Sequence, residues 1–86
     1  MWIVELAFTG TPERLAARPA HRDRLTALHR AGTVRMAGPL DDDSGAVILV
    51  DLDDRADVDA LIADDPYYRT AGVTIVGIRC WRPFLG

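Results

Sequence analysis

Along the first nine residues apolar and polar positions alternate. Trp2, Val4, Leu6 and Phe8 fall on one side of an extended chain, and Ile3, Glu5, Ala7 and Thr9 on the other. A period of two predicts a half-buried strand over residues 2–9, closed by Gly10. Thr11-Pro12-Glu13 then reads as a helix start, with a capping hydroxyl and a proline at the first helical position. Pro19 lacks a backbone donor and crowds the preceding turn. The segment is therefore predicted as a short turn near 12–16 followed by a longer helix over 19–31, stopped by Gly32. A second strand is expected over 33–40, with Val34 and Met36 sharing a face and Gly38-Pro39 at its end. A third, over 46–52, is apolar on both faces. Asp53 or Asp54 caps a second helix over 55–63 that turns Val58, Leu61 and Ile62 to one side. Asp64-Asp65-Pro66 breaks it, and Tyr67-Tyr68-Arg69 makes a short turn up to Gly72. Residues 73–81 form a last strand and 82–86 a tail.

The order β-α-β-β-α-β predicts an α+β fold, a ferredoxin-like sandwich with two helices on one face of a four-stranded antiparallel sheet. Two helices cover only one face. Yet Val47 and Leu49 oppose Ile48 and Val50, and Val73 and Ile75 oppose Val76 and Ile78. A second copy of the chain is the expected cover, in a symmetric homodimer. Size points the same way. Eighty-six residues suffice for one domain, which buries only about 60–65 % of its unfolded surface. Cys80 is the single cysteine, so no internal disulfide staples the core. A lone thiol also suits a reducing cytoplasm, the expected location.

The ten basic residues are all arginines, scattered among thirteen acids for a net charge of −3. Without a basic stripe, neither nucleic acid nor an anionic membrane is expected as a partner. The apolar runs are too short to span a bilayer. Glu5 interrupts the first of them and no basic segment precedes it, so no secretory signal is expected.

His21 is the sharpest candidate for chemistry. Leu25 and Leu28, four and seven residues on, lie within about 40° of it on a helical wheel, so His21 extends the inward stripe. A titratable ring at the lip of a core can act as a general base; it can equally be a boundary histidine bonded to a carbonyl. His29 lies off the stripe and reads as a flanking surface residue. A carboxylate just before Pro66 sits in an extended or turn conformation at a helix end, where it needs a donor or cation. Asp65, or its neighbour Asp64, could orient the His21 ring. Gly38-Pro39 could admit a ligand to backbone amides, Tyr67 and Tyr68 could donate hydroxyls or pack, and Arg18 could grip a carboxylate. Asp41-Asp42-Asp43-Ser44-Gly45 lacks the spacing of a calcium loop and reads as a turn. Cys80 reads as packing. No phosphate loop, metal-ligand spacing or nucleophile elbow occurs, so no metal and no cofactor is expected.

Arg18-Pro19-Ala20-His21, Leu28-His29, Ala37-Gly38-Pro39-Leu40 and Ala63-Asp64-Asp65-Pro66-Tyr67, in this order and spacing, resemble the YCII-related (YciI-like) family over nearly the whole chain. The resemblance implies a ferredoxin-like fold paired into a dimeric α/β barrel, with a histidine–aspartate site at His21 and Asp65. A dehydrochlorinase among its members implies proton transfer on small ring compounds. The connection between Leu40 and Ala46 is shorter than in some relatives. The leading expectation is a small cofactor-independent lyase or isomerase, with His21 and Asp65 as its acid–base pair. Arg18, Gly38, Pro39 and Tyr67 would line the pocket for an unknown small molecule. The competing expectation is a non-catalytic module, a dimer that binds the same kind of ligand or docks as an accessory onto a partner enzyme.

Overall fold

The computed structural model describes residues 1–86. Its elements are β1 (Trp2–Phe8), α1 (Pro12–Arg30), β2 (Val34–Pro39), β3 (Gly45–Val50), α2 (Arg55–Ala63), a 3-10 turn, η1 (Pro66–Arg69), and β4 (Val73–Cys80). The strands are ordered β2-β3-β1-β4, every neighbouring pair antiparallel. This is the ferredoxin-like α+β fold that the alternation of periods predicts. No helix is long and apolar enough to cross a membrane.

The core lies between the helices and one sheet face. Val4, Leu6, Ile48 and Val50 from the central strands meet Val34, Val58, Tyr67 and Tyr68. Facing away are Ile3 and Ala7 from β1 and Val47 and Leu49 from β3, the odd set of the alternation. Two irregularities shift the expected faces. Pairing between β1 and β4 slips at Glu5/Leu6, so that Ile75 opposes Leu6 while Gly77 opposes Glu5. Val76 is the extra residue, 59 % exposed, and beyond it Ile78 joins Val73 and Ile75 against the core instead of opposing them. A bulge re-aims side chains in this way because one inserted residue reverses the parity of all that follow. A slip between Val34 and Met36 acts similarly in β2, separating a buried Val34 from a Met36 that is 68 % exposed opposite Leu49. Cys80, expected to pack, ends β4 and is exposed.

The largest departure is α1, which runs unbroken through Pro19 instead of dividing there. Pro19 and Leu15, whose carbonyl loses its partner, are both exposed, so water can take the bond that proline cannot supply. Contacts on either side of the proline hold the helix as one element. Thr11 Oγ1 accepts from the Arg14 amide at 3.2 Å and donates to the Ala71 carbonyl at 2.7 Å. This cap ties the start of α1 to the turn before β4. Gly72 makes that junction possible: its φ is +95°, and a Cβ there would drive into the Thr11 side chain. Gly45 is similarly constrained, since a Cβ would collide with the Leu6 carbonyl. Gly72→Ala is expected to lower folding stability by about 1–3 kcal/mol, through its positive φ and the displaced cap. Urea unfolding at constant slope would measure the loss, and an unchanged midpoint would contradict this account of the junction.

Candidate functional site

Asp65 is a carboxylate just 4 % exposed. Such a group must have its oxygens hydrogen-bonded. Preceding Pro66, its backbone is extended (φ −118°, ψ 110°), and Asp65 becomes the cap of η1: Oδ1 accepts from the Tyr67 amide at 3.0 Å. Its second oxygen, Oδ2, accepts from His21 Nδ1 at 2.6 Å. Forty-four positions of sequence separate the partners; α1 and η1 bring them together inside the protein. Asp64 is the other possibility that the sequence leaves open. It ends α2, its side chain is 87 % exposed, and its nearest cation is Arg24 at 3.7 Å.

The His21 ring, 7 % exposed, lies parallel to the Tyr67 ring with centroids 3.9 Å apart, and edge-on to Tyr68 at 5.4 Å. Because the Asp65 carboxylate accepts, the proton of neutral His21 sits on Nδ1. Nε2 is then the free acceptor, and it has no hydrogen-bond partner within the protein. Burial lowers the His21 pKa below its ordinary value. Asp65 opposes that effect, by hydrogen bond and charge, and Arg22 and Arg24 add to it. Burial pushes the Tyr68 hydroxyl up, with the Asp65 and Tyr67 charges acting in the same direction. At neutral pH this tyrosine is a neutral packing group.

His21 lines a cavity of about 660 Å³ between α1 and the β2–β3 side of the sheet. Arg18, Gly38, Pro39 and Tyr67 line it as well, so four further sequence candidates share one space; Asp65 stands behind the histidine and does not reach the lining. His29 sits at the far end, exposed, with Nδ1 donating to the Val34 carbonyl at 2.9 Å. Arg14 and Asp43, which sequence reasoning does not single out, belong to the same wall. Arg14 is 4 % exposed, places its guanidinium carbon 4.3 Å from the Phe8 ring centroid, and donates from Nη2 to Asp43 Oδ2 at 3.0 Å. Tyr67 and Asp43 hold its charged form against the cost of burial. The signal was available: Arg14 precedes His21 by seven residues, two turns on one face, once α1 is continuous.

Set beside known proteins, the chain belongs to the YCII-related domain family, whose profile matches residues 3–82. Among solved structures it is similar to the 5-chloro-2-hydroxyhydroquinone dehydrochlorinase of Burkholderia phenoliruptrix AC1100 in complex with 2,5-dihydroxybenzoquinone. The TM-score is 0.60 at 14 % identity, over 95 % of this chain and 94 % of that one. At such identity the likeness is one of fold. Among curated proteins no sequence matches the chain.

Two measurements check the site's electrostatics. By nitrogen NMR, His21 should hold its proton on Nδ1 and titrate below about 6.5, the ordinary value. Unfolded His21 protonates first as pH falls, so the unfolded state binds more protons in that window. The stability from neutral His21 should be complete above about pH 6.5 and decline below it. In Asp65→Asn the single amide oxygen is claimed by the fixed Tyr67 N–H, which turns the NH₂ toward His21. The ring should then switch to the Nε2–H tautomer. A retained Nδ1–H signal would refute this reading of the pair.

Proposed function

We propose that the protein is a cofactor-independent enzyme that moves a proton on a small cyclic or aromatic metabolite, as a lyase or isomerase does. The observation that carries the reading is the buried His21–Asp65 hydrogen bond behind a cavity that His21 itself lines. Nε2 of neutral His21 takes a proton from a substrate C–H. The electron pair left behind either expels a leaving group from the adjacent carbon or returns with the proton at a second position. His21 carries the positive charge in between, stabilised by the Asp65 carboxylate and by the face of the stacked Tyr67 ring. A lowered pKa keeps the base form populated at neutral pH. Gly38 and Pro39 rim the space from the edge strand β2, and the Tyr67 and Arg18 side chains offer donors to substrate oxygens. The relative in fold, a dehydrochlorinase held with a dihydroxybenzoquinone, supports the choice of ring compounds.

The working unit in this proposal is a homodimer paired through the open sheet face. Ile3, Ala7, Val47 and Leu49 stand there, with Val76 and Met36 strongly exposed at its margins. Glu5 pairs with Arg79 across the same face. Leu49→Arg should then convert a dimer to a monomer in analytical ultracentrifugation, and a monomeric wild type would remove the pairing.

The proton-transfer reading is tested in D₂O with small cyclic ketones and hydroxyquinones, following C–H exchange by NMR. Wild-type protein should catalyse exchange, and His21→Gln should slow it about a hundredfold or more. Saturable binding of these compounds with no exchange by the wild type would mark a non-catalytic binding module instead.

A further inference from the structure

We propose that Arg14 is an anion receptor within the cavity, and that the natural ligand is a small organic monoanion bound through a carboxylate-type pair of oxygens. The proposal deepens the reading of the cavity as the ligand site, and it assigns the charge-recognising role to Arg14 and not to Arg18.

Arg14 is almost wholly enclosed, and besides Asp43 the Tyr67 hydroxyl lies close enough to support its charge, yet its Nε has no acceptor in hydrogen-bonding geometry. A guanidinium meets a carboxylate best with two parallel N–H donors, and Nε with Nη2 forms one such fork. Nη2 donates to Asp43 at 3.0 Å, whereas Nε is buried with no acceptor. An orphaned donor on a charged group is a poor arrangement for a purely structural ion pair. The guanidinium carbon also lies over the Phe8 ring, 4.3 Å from its centroid, which limits where the fork can move. Asp43, its present partner, is a replaceable one. It stands on the exposed turn between β2 and β3, its side chain is 48 % exposed, and it reaches Arg14 with a single oxygen. The wall as a whole favours an anion, since Arg14, Arg18 and Arg22 line the cavity against the one carboxylate of Asp43. An incoming two-oxygen anion replaces Asp43 at Nη2 as Asp43 swings to water, and a small shift of the enclosed Arg14 side chain then brings Nε to the second oxygen. Such an anion lies in the cavity that Nε2 of His21 serves.

Benzoate and its neutral isostere benzamide are suitable probes, titrated into the full-length protein and followed by amide chemical shifts. Benzoate should bind saturably around Arg14 and Phe8, at least about tenfold more tightly than benzamide. Arg14→Lys keeps the charge but loses the fork, and should weaken benzoate by about tenfold. Asp43→Asn removes the internal competitor without disturbing the turn, because asparagine accepts the left-handed conformation (φ 58°) that Asp43 adopts. It should strengthen benzoate several-fold. If Arg14 merely anchors the turn, the two probes will bind alike, or benzoate will show no saturable shift up to its solubility limit. Either result overturns the proposal, as does weaker benzoate binding by Asp43→Asn. The titration involves no turnover. A protein that selects benzoate through Arg14 but never exchanges a substrate proton would therefore refute the acid–base reading alone.

Discussion

A carboxylate with almost no access to water governs this protein. Asp65 cannot remain buried unless both oxygens are satisfied, and the two donors come from distant parts of the chain. Removing one partner of such a pair typically costs about 3–5 kcal/mol, a large share of the stability of a small domain. The bond to the Tyr67 amide sets the geometry of η1, and that geometry puts the Tyr67 ring parallel to His21. Tyr67 in turn meets Phe8 edge-on at 6.2 Å, and Phe8 carries the Arg14 guanidinium. Through Asp43 the series reaches the β2–β3 turn. One buried acid thus organises a continuous run of polar and aromatic contacts across the helix-covered side of the sheet, and the cavity opens along it.

The architecture was legible because it rests on periodicity. Alternation in residues 2–9, the wholly apolar run within 46–52, the capping Thr11-Pro12, and the Asp-Pro break after α2 each name their element from local chemistry. His21 was legible as an inward position on a helix, and Asp65 as a carboxylate in need of a donor; their meeting was not, because no local pattern encodes a contact across forty-four positions. The misread faces share one cause. The bulges at Val76 and beyond Val34 are decided by how two strands pair, so parity read within a single strand fails past the inserted residue. Pro19 misled more seriously. Its intrinsic cost suggests two segments, and dividing them conceals that Arg14, His21, Leu25 and Leu28 belong to one stripe. Tertiary contacts on both sides of the proline outweigh that cost, which the sequence of the helix alone cannot reveal.

Membership of the YCII-related family and a shared fold at 14 % identity leave the chemistry to side chains. In this chain the cavity combines a histidine whose tautomer is determined from behind with arginines arrayed along the same helix. Neutral imidazole and nearby cations suit each other: Arg22 and Arg24 disfavour a positive charge on the ring, which preserves its basic form. The same neighbours would favour negative charge developing on a ligand.

The proline in α1 has a mechanical consequence. The missing rung spans Leu15 to Pro19, between Arg14 and His21, so the ladder is thinnest where the enclosed arginine's turn joins the titrating one. A helix with one rung absent bends and opens more readily at that place than elsewhere. On either side of that place other elements hold the helix, Thr11 through the Ala71 carbonyl before it and His21 through Asp65 after it. A ladder weakened in its middle and fastened on both sides confines bending to the stretch between Arg14 and His21, and the His21–Asp65 bond lies outside it.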